Sequence, residues 1–137
     1  MGLAEEIAAM RGGSGHSGRL LGEFRRTALL VPLSEGDDGG LMSGRQGGVR
    51  WIYAFTDEGA LARFVEARGA DAGAREWEYL SILGARLLDA VIPTVDGPTG
   101  VAVDVADEDG SMLFPPVVGI VPDACAVDAG PDRAAAV

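Results

Sequence analysis

The chain contains no lysine, a single histidine and a single cysteine among its 137 residues. Without lysine it has neither a Walker-type phosphate-binding lysine nor a Schiff-base site such as a pyridoxal attachment. One histidine, His16, excludes zinc motifs built on paired histidines. One cysteine, Cys125, excludes an intramolecular disulfide, a CxxC redox pair and a cysteine-rich zinc site. We therefore expect no metal, no cofactor and a reduced thiol at Cys125.

The sequence also lacks a long apolar run and a positively charged N-terminus. No apolar run reaches the roughly 20 residues that cross a bilayer. Glu5 and Glu6 stand where a signal peptide carries positive charge. These features predict a cytoplasmic protein with no membrane partner.

Positive charge is scarce: the chain has 21 acidic and 11 basic residues, and its formal net charge is -10. The excess lies in residues 51–137, which hold fifteen acids and five arginines, whereas residues 1–50 hold six of each. A phosphate backbone is repelled by such a surface, so we expect no nucleic-acid partner. The arginine-only basic set, with abundant alanine, glycine and valine, indicates a GC-rich genome such as that of an actinobacterium.

No pattern in the sequence indicates a catalytic site. The run from Gly13 to Gly18 contains a formal GxGxxG, but a predicted helix precedes it where a dinucleotide site needs a strand. His16 lies in this run, where a catalytic base would not be held in place. The acids near residues 104–109 do not follow the alternating spacing of a calcium loop. We expect no catalytic residue and no metal ligand.

The N-terminal residues predict a short amphipathic helix over 2–11. Leu3, Ile7 and Met10 recur at i, i+4 and i+7 and form one apolar stripe. The stripe either docks on its own domain or forms the contact of a homodimer. The glycine-serine run that follows predicts a flexible linker. We therefore expect three parts: a helix and linker (1–18), a single domain (19–123) and a flexible tail (124–137).

The clearest pattern in the domain lies at residues 49–64, VRWIYAFTDEGALARF. Strict alternation predicts a strand with Trp51, Tyr53 and Phe55 on one face and Ile52 on the other. Thr56 is expected to cap a helix over 57–68.

Weaker patterns complete the domain. Strands are expected at 28–33, 101–105 and 112–114, with a glycine-rich connection over 34–48. Residues 76–83 fit either a strand or a helix; aromatic content favours a strand to about 82, followed by a helix near 85–91. Together these elements predict one α+β domain with two or three helices packed against a four- to six-stranded sheet, plus the short N-terminal helix.

Residues 49–64 resemble the N-terminal domain of SseB-family (enhanced serine sensitivity) proteins, in which a strand ending in aromatic-Thr-Asp precedes a helix of this spacing. The similarity continues through an apolar helix (85–91), a Gly-Val-x-Val strand (100–103) and a strand that closes on Phe-Pro-Pro (114–116). It covers about residues 26–117. The resemblance implies a mainly antiparallel sheet and an accessory or interaction domain, and it transfers no catalytic residue.

The aromatic face and the Phe-Pro-Pro corner are the candidate protein-binding surface if part of them stays open as a groove. Its residues are Trp51, Tyr53, Phe55, Phe114, Pro115 and Pro116. The alternative is that these rings simply fill the core.

The first functional hypothesis is a non-enzymatic cytoplasmic interaction module whose partner is an unknown protein or a second copy of the chain. An immunity-type or secretion-associated partner protein is a subclass of it. The alternative is a small-molecule-binding regulator or an enzyme that uses carboxylates and arginines. That alternative needs a deep pocket in which Arg50 or Arg86 faces a buried carboxylate.

Overall fold

A computed structural model describes residues 2–33, 40–68, 78–108 and 110–128. The elements in these ranges, in chain order, are α1 (Leu3–Arg11), α2 (Ser17–Arg26), β1 (Ala28–Pro32), β2 (Ser43–Gln46), β3 (Val49–Ala54), α3 (Glu58–Ala67), β4 (Tyr79–Leu83), α4 (Gly84–Arg86), β5 (Thr99–Val103) and β6 (Met112–Phe114). Helix α4 continues as a π-helical turn (Leu87–Val91) and a 3₁₀ turn (Ile92–Thr94). A last 3₁₀ turn spans Asp123–Cys125.

The strands form two sheets. Strands β1 and β4 make an antiparallel pair, and the larger sheet has the order β2-β3-β5-β6. Within it β3 and β5 are parallel and the other neighbours are antiparallel. Leu30 and Phe55 exchange two backbone hydrogen bonds of 2.9 Å, which join the sheets. The expected α+β fold with a mainly antiparallel sheet and a short N-terminal helix is confirmed.

The glycine-rich connection over 34–48 contains a strand that the sequence pattern did not predict. Residues 43–46 form β2, which turns directly into β3 through Gly47 and Gly48. Both glycines have positive φ, 64° and 80°, as a two-residue hairpin turn requires. The other uncertain segment, 76–83, contains a strand from Tyr79, and its residues 76–77 lie outside the described ranges.

The main core lies between one face of the larger sheet and the helices α1, α2 and α4. Its centre is formed by the residues Leu20, Phe24, Leu29, Val31, Ile52, Ala54, Leu87, Leu88, Ile92, Val101, Val103 and Phe114. The rings of Phe24 and Phe114 stack with centroids 4.2 Å apart. A second, smaller cluster, with Met42, Phe55, Ala60, Leu61 and Phe64, lies under α3.

The N-terminal helix belongs to this domain. Leu3 and Ile7 are buried in the main core, and Met10 packs against it. The structure thus corrects the alternative of a homodimer contact at these three residues, because their own chain already covers the stripe. The run after α1 is a compact turn: the His16 ring accepts from the Gly18 N–H at 3.2 Å and caps α2.

Residues 124–128, the first part of the expected tail, are bonded to the domain. The Val127 N–H donates to the Pro116 carbonyl at 2.8 Å, and Asp128 Oδ1 accepts from the Val118 N–H at 2.7 Å. The chain therefore stays attached to the domain as far as residue 128. Residues 129–137 of the expected tail lie outside the described ranges.

Candidate functional site

Within the described ranges, one face of the larger sheet is only partly covered. Strand register places Gly44, Trp51 and Gly100 in one cross-strand row and Tyr53, Ala102 and Leu113 in the next. Because side chains alternate along a strand, these rows face away from the main core. Helix α3 covers the end of this face that lies beyond Tyr53. The remainder is an open groove of about 410 Å³.

The two aromatic rings of the groove lie close to the sheet because two neighbouring positions have no side chain. A Cβ atom on Gly100 would lie 2.8 Å from Cζ3 of Trp51, so the indole rests directly on the glycine. A Cβ atom on Gly44 would meet the Tyr53 hydroxyl in the same way. Both rings therefore lie along the sheet, half-buried, instead of standing away from it. The full lining is Gly44, Arg45, Gln46, Trp51, Tyr53, Ala102, Val105 and Leu113.

An aromatic cluster under α3 fixes one end of the groove. The Phe64 ring lies 5.2 Å from Tyr53 and 5.0 Å from Phe55, centroid to centroid, at tilted angles. The Arg68 guanidinium lies 5.1 Å from the Phe64 centroid on its outer side, where a cation is attracted to a ring face. These contacts hold Tyr53 in place. Phe55 itself is fully buried, which corrects its assignment to the binding surface.

The Phe-Pro-Pro corner does not line the groove either. Phe114 pairs with Val101 across β5 and β6 and therefore points into the main core, against Phe24. Pro116 is buried and Pro115 half-buried. The neighbour of Phe114, Leu113, points the opposite way and reaches the groove. Alternation within Met112–Phe114 is the sequence signal that could have identified Leu113.

Of the six predicted surface residues, the structure brings Trp51 and Tyr53 together in the groove. Sequence reasoning missed Leu113, whose side chain is 54% exposed. It also missed the glycines on which the two rings rest, because a close approach of a ring to a backbone atom depends on pairing between distant strands.

Two acids between β5 and β6, Asp104 and Asp107, are held by hydrogen bonds within the fold. Asp104 is buried and accepts hydrogen bonds from the Thr56 N–H (2.9 Å) and hydroxyl (2.7 Å). Asp107 accepts from Nε and Nη2 of Arg63 at 2.6 and 2.8 Å, and this pairing lowers the pKa of the carboxyl. Burial raises the pKa of Asp104. The described part of the chain holds no group of three acid, histidine or cysteine side chains that could bind a metal.

The arginines do not form the arrangement that the enzyme hypothesis needs. Arg50 donates from Nη1 to the Ser43 hydroxyl at 3.1 Å, and Arg86 is exposed. Within the described ranges neither faces a buried carboxylate. Asp89 pairs with Arg25 at 2.5 Å, and not with Arg86 three residues away. The Arg25 guanidinium lowers the pKa of that carboxyl.

Comparisons with known proteins returned no matching family model, no matching curated protein and no matching solved structure. The SseB resemblance therefore stays a prediction. None of the helices described here is both long enough and apolar enough to cross a membrane.

Proposed function

We propose that this chain is a non-enzymatic, cytoplasmic interaction module that holds an apolar segment of a partner protein in the groove. The observation that carries the proposal is that Trp51, Tyr53 and Leu113 lie together on the part of a sheet face that the described residues leave open. Aromatic side chains with a wide contact area and few rotatable bonds are typical anchors of protein interfaces. The SseB resemblance supports the same class of function.

The charges of the groove and of the whole chain indicate which kind of partner protein would bind. Arg45 lines the groove, so a carboxylate beside the apolar segment would be accommodated at that point. The chain as a whole carries a net charge of -10, and its field accelerates encounter with a basic protein. The proposed partner is therefore basic overall, with an apolar docking segment.

The test is capture of partners by the full-length chain in its native cell, followed by quantitative mass spectrometry. We compare the wild type with Leu113→Arg, which introduces a charge into the groove. The matched control is Val118→Arg, since Val118 is 46% exposed but lies outside the groove. We expect a stoichiometric protein with the wild type and the control that is lost with Leu113→Arg. Equal recovery by all three chains would refute docking in the groove.

One observation favours a second candidate, a small-molecule-binding regulator. The groove volume of about 410 Å³ falls in the range of roughly 300–1,000 Å³ that is usual for small-molecule pockets. Native mass spectrometry of the purified chain separates the two candidates. A bound metabolite that Leu113→Arg releases and Val118→Arg retains would support the regulator.

A further inference from the structure

Among the described strands, β4 pairs on one side only, with β1. Leu30 uses both its N–H and its carbonyl to bond Phe55, at 2.9 Å each, so neither group points to Ser81, its opposite neighbour on β4. In an antiparallel ladder such non-bonded pairs alternate with bonded ones. Two hydrogen bonds identify the bonded pairs. The Leu33 N–H donates to the Glu78 carbonyl, and the Gly84 N–H donates to the Thr27 carbonyl, both at 2.9 Å. Even-numbered residues of β4 therefore bond to β1.

The odd-numbered residues consequently direct their backbone groups outward. Tyr79 and Ser81 each present an N–H and a carbonyl at the outer edge, and Leu83, the N-cap of α4, presents its N–H there. Among the described strands only β1 pairs with β4. The side chains of these three residues are exposed, that of Leu83 by 49%. Natural edge strands are commonly protected by charges, prolines or bulges. The five residues of β4, YLSIL, contain no charge and no proline.

We propose that β4 is the interface between two copies of this chain, paired antiparallel about a two-fold axis at Ser81. Ser81 then faces Ser81 of the second copy, and Tyr79 faces Leu83 on both sides of the axis. In this register the Ser81 residues exchange both backbone bonds, and the Leu83 N–H of each copy donates to the Tyr79 carbonyl of the other. The two-stranded β1–β4 sheet thereby becomes part of a four-stranded sheet shared by two chains.

Charge explains why a second copy fits this edge although the chain is acidic. The strand itself is neutral, so pairing brings no like charges into direct contact. Exposed Glu78 precedes β4 and exposed Arg86 follows it. Antiparallel pairing brings the Glu78 end of one copy to the Arg86 end of the other. The arrangement is thus complementary to itself, as a two-fold interface must be.

The interface is separate from the groove, which lies on the other sheet. The inference therefore does not rest on the proposed function, and the two fail independently. Groove variants such as Leu113→Arg are expected to leave the dimer intact. Edge variants are expected to leave residues that line the groove unchanged.

A cysteine pair tests the register. Residues facing each other in a bonded antiparallel pair have Cα atoms about 5.5 Å apart, within the roughly 4.4–6.8 Å that a disulfide spans. In a Cys125→Ser background, Ser81→Cys is expected to form a disulfide-linked species of twice 14.1 kDa under mild oxidation. The matched control is Leu83→Cys, whose equivalents lie about 14 Å apart along the strand. No crosslink at Ser81, or equal crosslinking of both variants, would overturn the proposal.

Solution mass gives the second test. Light scattering of the wild type is expected to give twice 14.1 kDa, falling to the monomer mass in Ser81→Pro, because proline removes an outward N–H that β1 does not use. If the proline variant fails to fold, Ser81→Lys provides the charge that blocks an edge. Ala8→Lys, exposed on α1, is its control and is expected to stay dimeric. A wild type that is monomeric at millimolar concentration, or a dimer that persists in both Ser81 variants, contradicts the proposal.

Discussion

Asp104 is a buried carboxylate held by a single residue. Thr56 donates to it from its N–H and its hydroxyl, and the backbone of Asp104 has a positive φ of 51°. A buried charge is tolerated when hydrogen bonds replace its lost hydration. The contact ties the residue after β5 to the segment that leads into α3, the helix that covers one end of the groove.

Removing the hydroxyl donor is expected to destabilise the fold. Thr56→Val keeps the side-chain shape and deletes one bond to a charged acceptor, worth about 1.5–3 kcal/mol. Thr56→Ser retains the hydroxyl and is expected to lose much less. Urea unfolding of the three proteins measures the difference, and equal loss in both variants would show that the methyl group matters instead of the bond.

The same substitution predicts a pH dependence. Burial raises the folded-state pKa of Asp104 above its ordinary value of 3.8, so its contribution to stability falls as pH rises from that value through the folded pKa. Thr56→Val removes a bond to the ionised form and raises this pKa further. The stability gap to the wild type is therefore expected to be small at pH below 3.8 and to widen as pH increases. A stability difference between the two proteins that stays constant as pH rises from 3.8 would contradict a hydrogen bond from Thr56 to the ionised Asp104.

At the start of α3, Thr56 bonds to Asp104 and the adjacent Asp57 caps the helix. Thr56 was expected to cap the helix, but Asp57 does so, accepting from the Ala60 N–H at 2.8 Å. Either side chain could cap by local chemistry alone. The buried carboxylate of Asp104, which is 48 positions away from Thr56, decides which one does. The sequence pattern therefore located the helix start and could not identify the cap.

Loss of this cap is expected to lower stability modestly. Asp57→Ala removes the acceptor at the N-terminus of α3, at a cost of about 1 kcal/mol. Asp57→Ser keeps a capping oxygen and is expected to remain close to the wild type. Thermal unfolding followed by circular dichroism distinguishes them; a neutral Asp57→Ala would assign the cap to another group.

Helices α2 and α4 meet at a glycine. A Cβ atom on Gly84 would collide with the carbonyl oxygen of Phe24, and that carbonyl belongs to backbone that cannot move aside easily. Gly84→Ala is expected to destabilise the protein by about 1–3 kcal/mol or more, as overpacking does.

Gly22→Ala is the control, because its Cβ would meet only the flexible end of Arg26 and alanine favours a helix interior by about 1 kcal/mol. Denaturant unfolding should move the two midpoints in opposite directions. A shift of both in the same direction would show that helix propensity outweighs the contact at Gly84.

For the whole molecule, the alternation of β3 correctly predicted which residues share a face but not which face is the core. Helices α1, α2 and α4 pack on the Ile52 side, whereas α3 covers only one end of the Trp51 side. That choice depends on contacts between distant segments. The large rings indicated a buried face, and the smaller Ile52 and Ala54 occupy the main core instead.

Acrylamide quenching of Trp51 fluorescence tests the proposed groove most directly. In a Trp77→Phe chain, Trp51 is the sole tryptophan. We predict that acrylamide quenches it in the free protein, and that adding the partner captured by the wild type protects it, with no protection in the same chain carrying Leu113→Arg. A Trp51 already shielded in the free chain, or a bound partner that leaves its quenching unchanged, would contradict docking in the groove.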